Sequence, residues 1–178
     1  MKIINKCYTI LVLLVLLSIH SGSNKEIEEY NAKALFIYNF TKYIEWQGES
    51  DFQVFTIGVY KKSDILDPLK AISSSKKIQN KKIIVKQINE SNENTSFQIL
   101  FLPDFTSKES YVNLLKNLPR KNLLIISESK KLFDSGTGIN FLIQENKIKF
   151  EINLSSIENA ELKISSQLLK LATRVKKE

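Results

Sequence analysis

Hydrophobic positions along this chain change period several times, and each change marks an element. From Glu26 to about Trp46 they recur at helical spacing, and Ser23-Asn24-Lys25-Glu26 supplies a capping box at the start. FQVFTIGVY (52–60) is dense in β-branched and aromatic residues, which predicts a buried strand. Ser63 to about Ile72 reads as a short helix with Pro68 near its middle, an awkward place for a residue without an amide proton. KKIIVKQI (81–88) and FQILFLP (97–103) are two more strands, separated by the polar NESNENTS loop. Thr106 and Glu109 are spaced as a second capping box, before a helix whose apolar face holds Tyr111, Leu114, Leu115 and Leu118.

NLLIIS (122–127) is the fourth strand, followed by a short turn of helix ending near Phe133. INFLIQENKIKFEIN (139–153) consists of two alternating runs joined around Gln144-Glu145-Asn146, the pattern of a hairpin. Ser155 and Glu158 are spaced as a third capping box, and SSQLLKLATRVKK predicts a last helix with Leu168, Leu169 and Ala172 inward. No Pro/Gly-rich linker or internal repeat interrupts the series. A strand-helix alternation closed by a hairpin and helices predicts a three-layer α/β sandwich, mostly parallel, with a C-terminal antiparallel hairpin.

The first helix carries ALFIYNFTKYIEW (34–46), more aromatic surface than one face can hold. At 100° per residue, Ala32, Phe36, Ile37, Phe40, Tyr43 and Ile44 share a face that would cover the sheet. Leu35, Tyr38 and Trp46 fall outside it, which makes them the candidate partner-binding residues, because Tyr and Trp concentrate among interface hot spots.

Composition changes the picture at the N-terminus. Lys2 and Lys6, the apolar run Tyr8–Leu17 and the small residues Ser21-Gly22-Ser23 have the layout of a secretory signal peptide, too short to span a bilayer. The expected division is a signal peptide over 1–23 and one domain over 24–178, exported to the periplasm of a two-membrane cell and not inserted in the membrane after cleavage. Cys7, His20 and Met1 are the chain's one Cys, one His and one Met, and all three lie in that segment. The mature chain would then hold no thiol or imidazole, so no disulfide, structural zinc site or other metal site is expected, and no cofactor. The net charge of +7 is carried by scattered lysines, arginine being confined to Arg120 and Arg174. No aromatic-basic interleaving accompanies them, and nucleic acid is not an expected partner.

KALFIYNFTKYIEW and KFEINLSSIENAELKISSQLLKLA (149–172) together resemble the opening and closing motifs of the YfiR-like family of small periplasmic proteins. FQILFLP and GTGINF (136–141) stand at the intermediate places the family pattern requires. The resemblance implies an α/β fold and a regulatory, non-catalytic role. It further implies binding to the exported region of an inner-membrane signalling protein of the diguanylate cyclase or histidine kinase type, with cyclic di-GMP and biofilm formation downstream in the first case. A homodimer is a further possible partner state. The motif residues it singles out are Asn39, Glu45, Glu151, Asn153, Ser165 and Ser166. Two departures stand out: Phe97 occupies a position where many relatives have Cys, and Gly136-Thr137-Gly138-Ile139 replaces a Gly-Gly-Met-Ile stretch. Redox control through a disulfide does not carry over.

The residues themselves also admit local roles. In the strand FEIN, Glu151 and Asn153 face opposite to Phe150 and Ile152, while Ser155 and Ser165 stand where helix caps belong. Ser127-Glu128-Ser129-Lys130 spells S-x-x-K, but Ser73/Lys76 and Ser74/Lys77 repeat the spacing and the companion S-D-N and K-T-G elements are missing, so no enzyme is expected. The alternative to a partner-binding regulator is a periplasmic small-ligand-binding protein. Its crevice would lie at the carboxyl ends of the strands, along Lys61–Asp64 and Ser127–Ser129.

Overall fold

The computed structural model describes residues 25–48, 52–89 and 96–177. The expected signal peptide, the Ser23 cap and most of the NESNENTS loop lie outside these residues. Among the described residues no helix is long and apolar enough to cross a membrane.

Helix α1 covers residues 25–40 and is followed by the short strand β1 (Ile44–Glu45). Then come β2 (Val54–Tyr60), α2 (Leu66–Ser75), β3 (Lys77–Ile78), β4 (Lys81–Ile88), β5 (Ile99–Leu102), α3 (Lys108–Asn117) and β6 (Leu124–Ser127). The chain continues through α4 (Lys130–Asp134), β7 (Ile139–Gln144), β8 (Lys147–Asn153), α5 (Leu154–Asn159), β9 (Lys163–Ile164), α6 (Ser166–Leu171) and β10 (Arg174–Lys176).

Eight strands form one sheet in the order β10-β8-β7-β6-β5-β2-β4-β3, and β1 pairs with β9 in a separate antiparallel ribbon. The β4-β2-β5-β6-β7 run is parallel, while β7-β8 and β3-β4 are antiparallel. A mixed α/β fold around a mostly parallel sheet, with the hairpin at 139–153, is what the hydrophobic pattern predicts. The hairpin turns at Glu145 and Asn146, both at positive φ (49° and 61°), a pairing that matches the twist of a two-residue loop.

Each central strand is buried on both faces, which is why it reads as an unbroken apolar run. Phe55, Ile57, Val59, Ile99, Phe101, Leu124 and Ile126 face one core, shared with α1, α2, α5 and α6. Tyr60, Leu100, Leu102 and Ile125 face the other, under α3 and α4. Phe97 belongs to the second core and lies flat over Gly58, where an added Cβ would stand 2.9 Å from its ring.

Several local expectations are corrected. Helix α2 is displaced to Leu66–Ser75, which puts Pro68 in its first turn, where the missing amide proton costs nothing. Ser107 rather than Thr106 caps α3, accepting from the Ser110 amide at 3.1 Å. Asn153 rather than Ser155 caps α5, and Ser155 instead donates to the Lys177 carbonyl at 2.6 Å. The last helix ends at Leu171, and Arg174–Lys176 adds a parallel edge strand beside β8. The first helix does not run to Trp46: it stops at residue 40, and the chain turns into β1.

Candidate functional site

On α1 the buried positions are Lys33, Ala34, Ile37 and Phe40, while Phe36 is partly covered. Phe36 and Phe40 pack with Phe141 and Phe150 in a four-ring cluster, the closest pair being Phe40 and Phe150 at 5.0 Å between centroids. This cluster joins the first sequence motif to the last. The β1-β9 ribbon does the same, setting Ile44 opposite Ile164 and Glu45 opposite Lys163.

Of the three residues placed off the core face, Leu35 is 54% exposed, Tyr38 is half-buried and Trp46 is only 3% exposed. Tyr38 packs at the core margin, donates to the Lys77 carbonyl at 3.4 Å and lies under the Lys42 ammonium. Trp46 is a correction. The wheel extended a helix that had already ended, and in the fold its indole stands edge-on to Phe55 and donates to the Gln98 carbonyl at 3.2 Å. It is a core residue with a satisfied N–H, not part of an outer face.

The motif polar residues carry local work. Asn39 is exposed and accepts from Lys42 at 2.9 Å. Glu45 is also exposed, and Glu151 is paired with Arg174 Nε at 3.0 Å in the β8-β10 register. Asn153 Oδ1 accepts from the Ser156 amide at 3.2 Å, and Ser165 Oγ caps α6 through the Leu168 amide at 3.3 Å, as the sequence predicts. Ser166 is exposed at the first position of that helix. Ser127 is fully buried, its hydroxyl held by Thr137 and Asn140 at 2.9 Å each, while Lys130 is exposed. The S-x-x-K spacing therefore builds no nucleophile-base pair facing solvent. Within GTGI, Gly136 adopts φ 107° and Thr137 closes that buried network, so the loop has structural duties of its own.

The most unusual chemistry lies elsewhere, at the carboxyl ends of the parallel strands beneath the first turns of α1. Lys33 is 4% exposed and ion-paired with both Glu29, one turn earlier at 2.5 Å, and Glu128, in the loop after β6. Its ammonium also lies 4.7 Å from the centre of the Tyr30 ring. Burial pushes the Glu128 carboxyl up from its ordinary range, more strongly than the Lys33 ammonium pulls it down, with Asp104 and Glu29 adding to the rise. Burial likewise raises the Tyr30 phenol, reinforced by the negative charges of Glu128, Asp104, Asp64 and Glu29.

Among the described residues, Ser63 Oγ, Thr106 Oγ1 and Glu128 Oε1 are buried side-chain oxygens with no hydrogen-bond partner. They stand in the loops after β2, β5 and β6, around the point where strand order reverses, since β4 and β5 lie on opposite sides of β2. The Lys61–Asp64 and Ser127–Ser129 rims of the sequence reading thus border one end of the sheet. Lys33 and Tyr30 were not among the sequence candidates. A signal was present: Lys33 is spaced four, seven and eleven residues from Ile37, Phe40 and Ile44, a charge on the buried stripe of a helix, and Glu29 precedes it by one turn.

A family model described as YfiR/HmsC-like matches residues 30–173, a span that includes Tyr30, Lys33, the four-ring cluster, both ends of the β1-β9 ribbon and Glu128. No curated protein matches the chain.

Proposed function

Because the chain belongs to the YfiR/HmsC-like family, we propose that it is an exported, non-enzymatic regulator that binds the periplasmic region of an inner-membrane signalling protein and modulates it. The observation that carries this reading is the family match over residues 30–173, together with the regulatory role the resemblance implies. A diguanylate cyclase or a histidine kinase is the expected partner type.

The outer face of α1 supplies a docking surface for such a partner. Ile27 and Leu35 are each 54% exposed, and with Asn31 and Tyr38 they form one stripe along the helix. Tyr is enriched among interface hot spots, the exposed apolar side chains beside it offer area that a partner would bury, and the Tyr38 hydroxyl already has an acceptor in the Lys77 carbonyl when the partner is absent. Trp46 is excluded from the surface by its burial.

In-cell crosslinking in the native host, followed by recovery of the processed protein, should retrieve one membrane signalling protein. Leu35→Asp should reduce that recovery about tenfold or more with the melting temperature little changed, because Leu35 touches solvent rather than the core. Recovery of no membrane protein by the wild type, or undiminished recovery by the variant, would contradict the reading.

A further inference from the structure

Beneath the N-terminal turns of α1, between the ends of β5, β6 and β7, lies a cavity of about 410 Å³, within the size range of small-molecule sites. Its charged lining consists of Glu26, Glu29, Asp104 and Glu128 against Lys25 and Lys33. The excess is negative in a chain whose net charge is +7, so the cavity opposes the charge of the molecule that holds it. Lys33 is already engaged by Glu29 and Glu128 and is not a free counterion.

Glu128 adds an independent observation. Its side chain is 7% exposed and lines the cavity; Oε2 receives Lys33, whereas Oε1 is buried with no partner. A buried carboxylate oxygen without a donor is costly to maintain, and an N–H donor brought by a ligand would relieve it. Ile143, 48% exposed and on the same face of β7 as Phe141, forms an apolar wall, and Tyr30 adds an aromatic one. Among the described residues, no three His, Cys, Asp or Glu side chains are grouped closely enough to hold a metal ion.

We propose that this cavity binds a small organic amine, protonated, whose ammonium faces the Glu29 and Asp104 carboxylates and, as the Glu128 carboxyl rotates toward it, donates to Glu128 Oε1, while its apolar portion rests on Ile143 and Tyr30. Ligand binding here connects the start of α1 to the ends of β5, β6 and β7, and so bears on the helix that also carries the exposed stripe. The site does not use Leu35 or Tyr38, and its test is independent of partner recovery.

The probe is benzylamine, with benzyl alcohol as its uncharged isostere, added at millimolar concentration to the processed full-length protein and followed by calorimetry and thermal melting. Benzylamine should bind saturably and raise the melting temperature; benzyl alcohol should do neither. Glu128→Gln should weaken benzylamine binding about tenfold or more, the expected loss when a charged acceptor of a buried hydrogen bond is removed. Asp104→Asn, at an exposed residue whose change leaves the core intact, should weaken it several-fold and protects the test against a folding defect in the first variant. No saturable binding of benzylamine, equal binding of the alcohol, or unchanged affinity in both variants would overturn the proposal.

Discussion

Lys33 is the residue where local pattern and tertiary setting disagree most. Buried lysines are rare unless paired, and this one is held by two carboxylates and an aromatic face. The pairing has a pH consequence at Glu128, whose carboxyl is raised above 4.5 by burial more than it is lowered by Lys33. A carboxyl whose folded value is raised binds its proton more tightly when folded. Its contribution to stability is therefore complete below the unfolded value and is lost as pH rises through the folded one. Glu128→Gln mimics the protonated form at every pH. Comparing melting temperatures of wild type and variant from pH 4 to pH 8, the variant should gain on the wild type as pH rises, with the change centred above the ordinary glutamate range. A difference independent of pH, or one of opposite slope, would show that Lys33 outweighs burial.

At the scale of elements, α1 divides into a side that holds the fold and a side that does not. Phe40 is 1% exposed within the four-ring cluster, so Phe40→Ala should cost about 3–5 kcal/mol in chemical denaturation. Leu35→Ala, on the solvent side, should stay within about 0.5 kcal/mol. Equal losses would mean that both faces are packed. The division was legible for Ile37, Phe40 and Leu35 from helical period alone. It failed for Trp46, six residues beyond the helix end, because a helical wheel carries no information past the point where the chain turns. The caps show a similar limit. Ser165 was readable, but at α5 the competing acceptor Asn153 lies at the end of β8, one residue before the helix begins, and captures the first turn ahead of Ser155.

At the scale of the molecule, the two long motifs near the ends of the chain become one unit: Phe36 and Phe40 on Phe150, Ile44 beside Ile164, and the Ser165 amide on the Tyr43 carbonyl at 2.9 Å. Export bears on the same scale. N-terminal sequencing of protein recovered from the native host should begin near Asn24, and a product retaining Met1 would contradict a cleaved signal peptide. A chain so processed would lose Cys7, and its stability would then rest on packing such as this junction rather than on any disulfide.

The sequence by itself determined the α/β class, the central strands, the hairpin at 139–153 and the likeness to a family of regulators. These follow from periodicity, from unbroken apolar runs and from motifs, all of which are local or strictly ordered along the chain. The tertiary structure alone decided that Arg174–Lys176 is a strand, that Trp46 is core, and that Lys33 and Glu128 meet across 95 residues. An edge strand of three residues exists only because β8 offers free backbone groups beside it. Glu29 stands one turn from Lys33 and is visible in the sequence, but the second carboxylate that a buried ammonium draws on, Glu128, is delivered by a distant loop, and no window of sequence contains it.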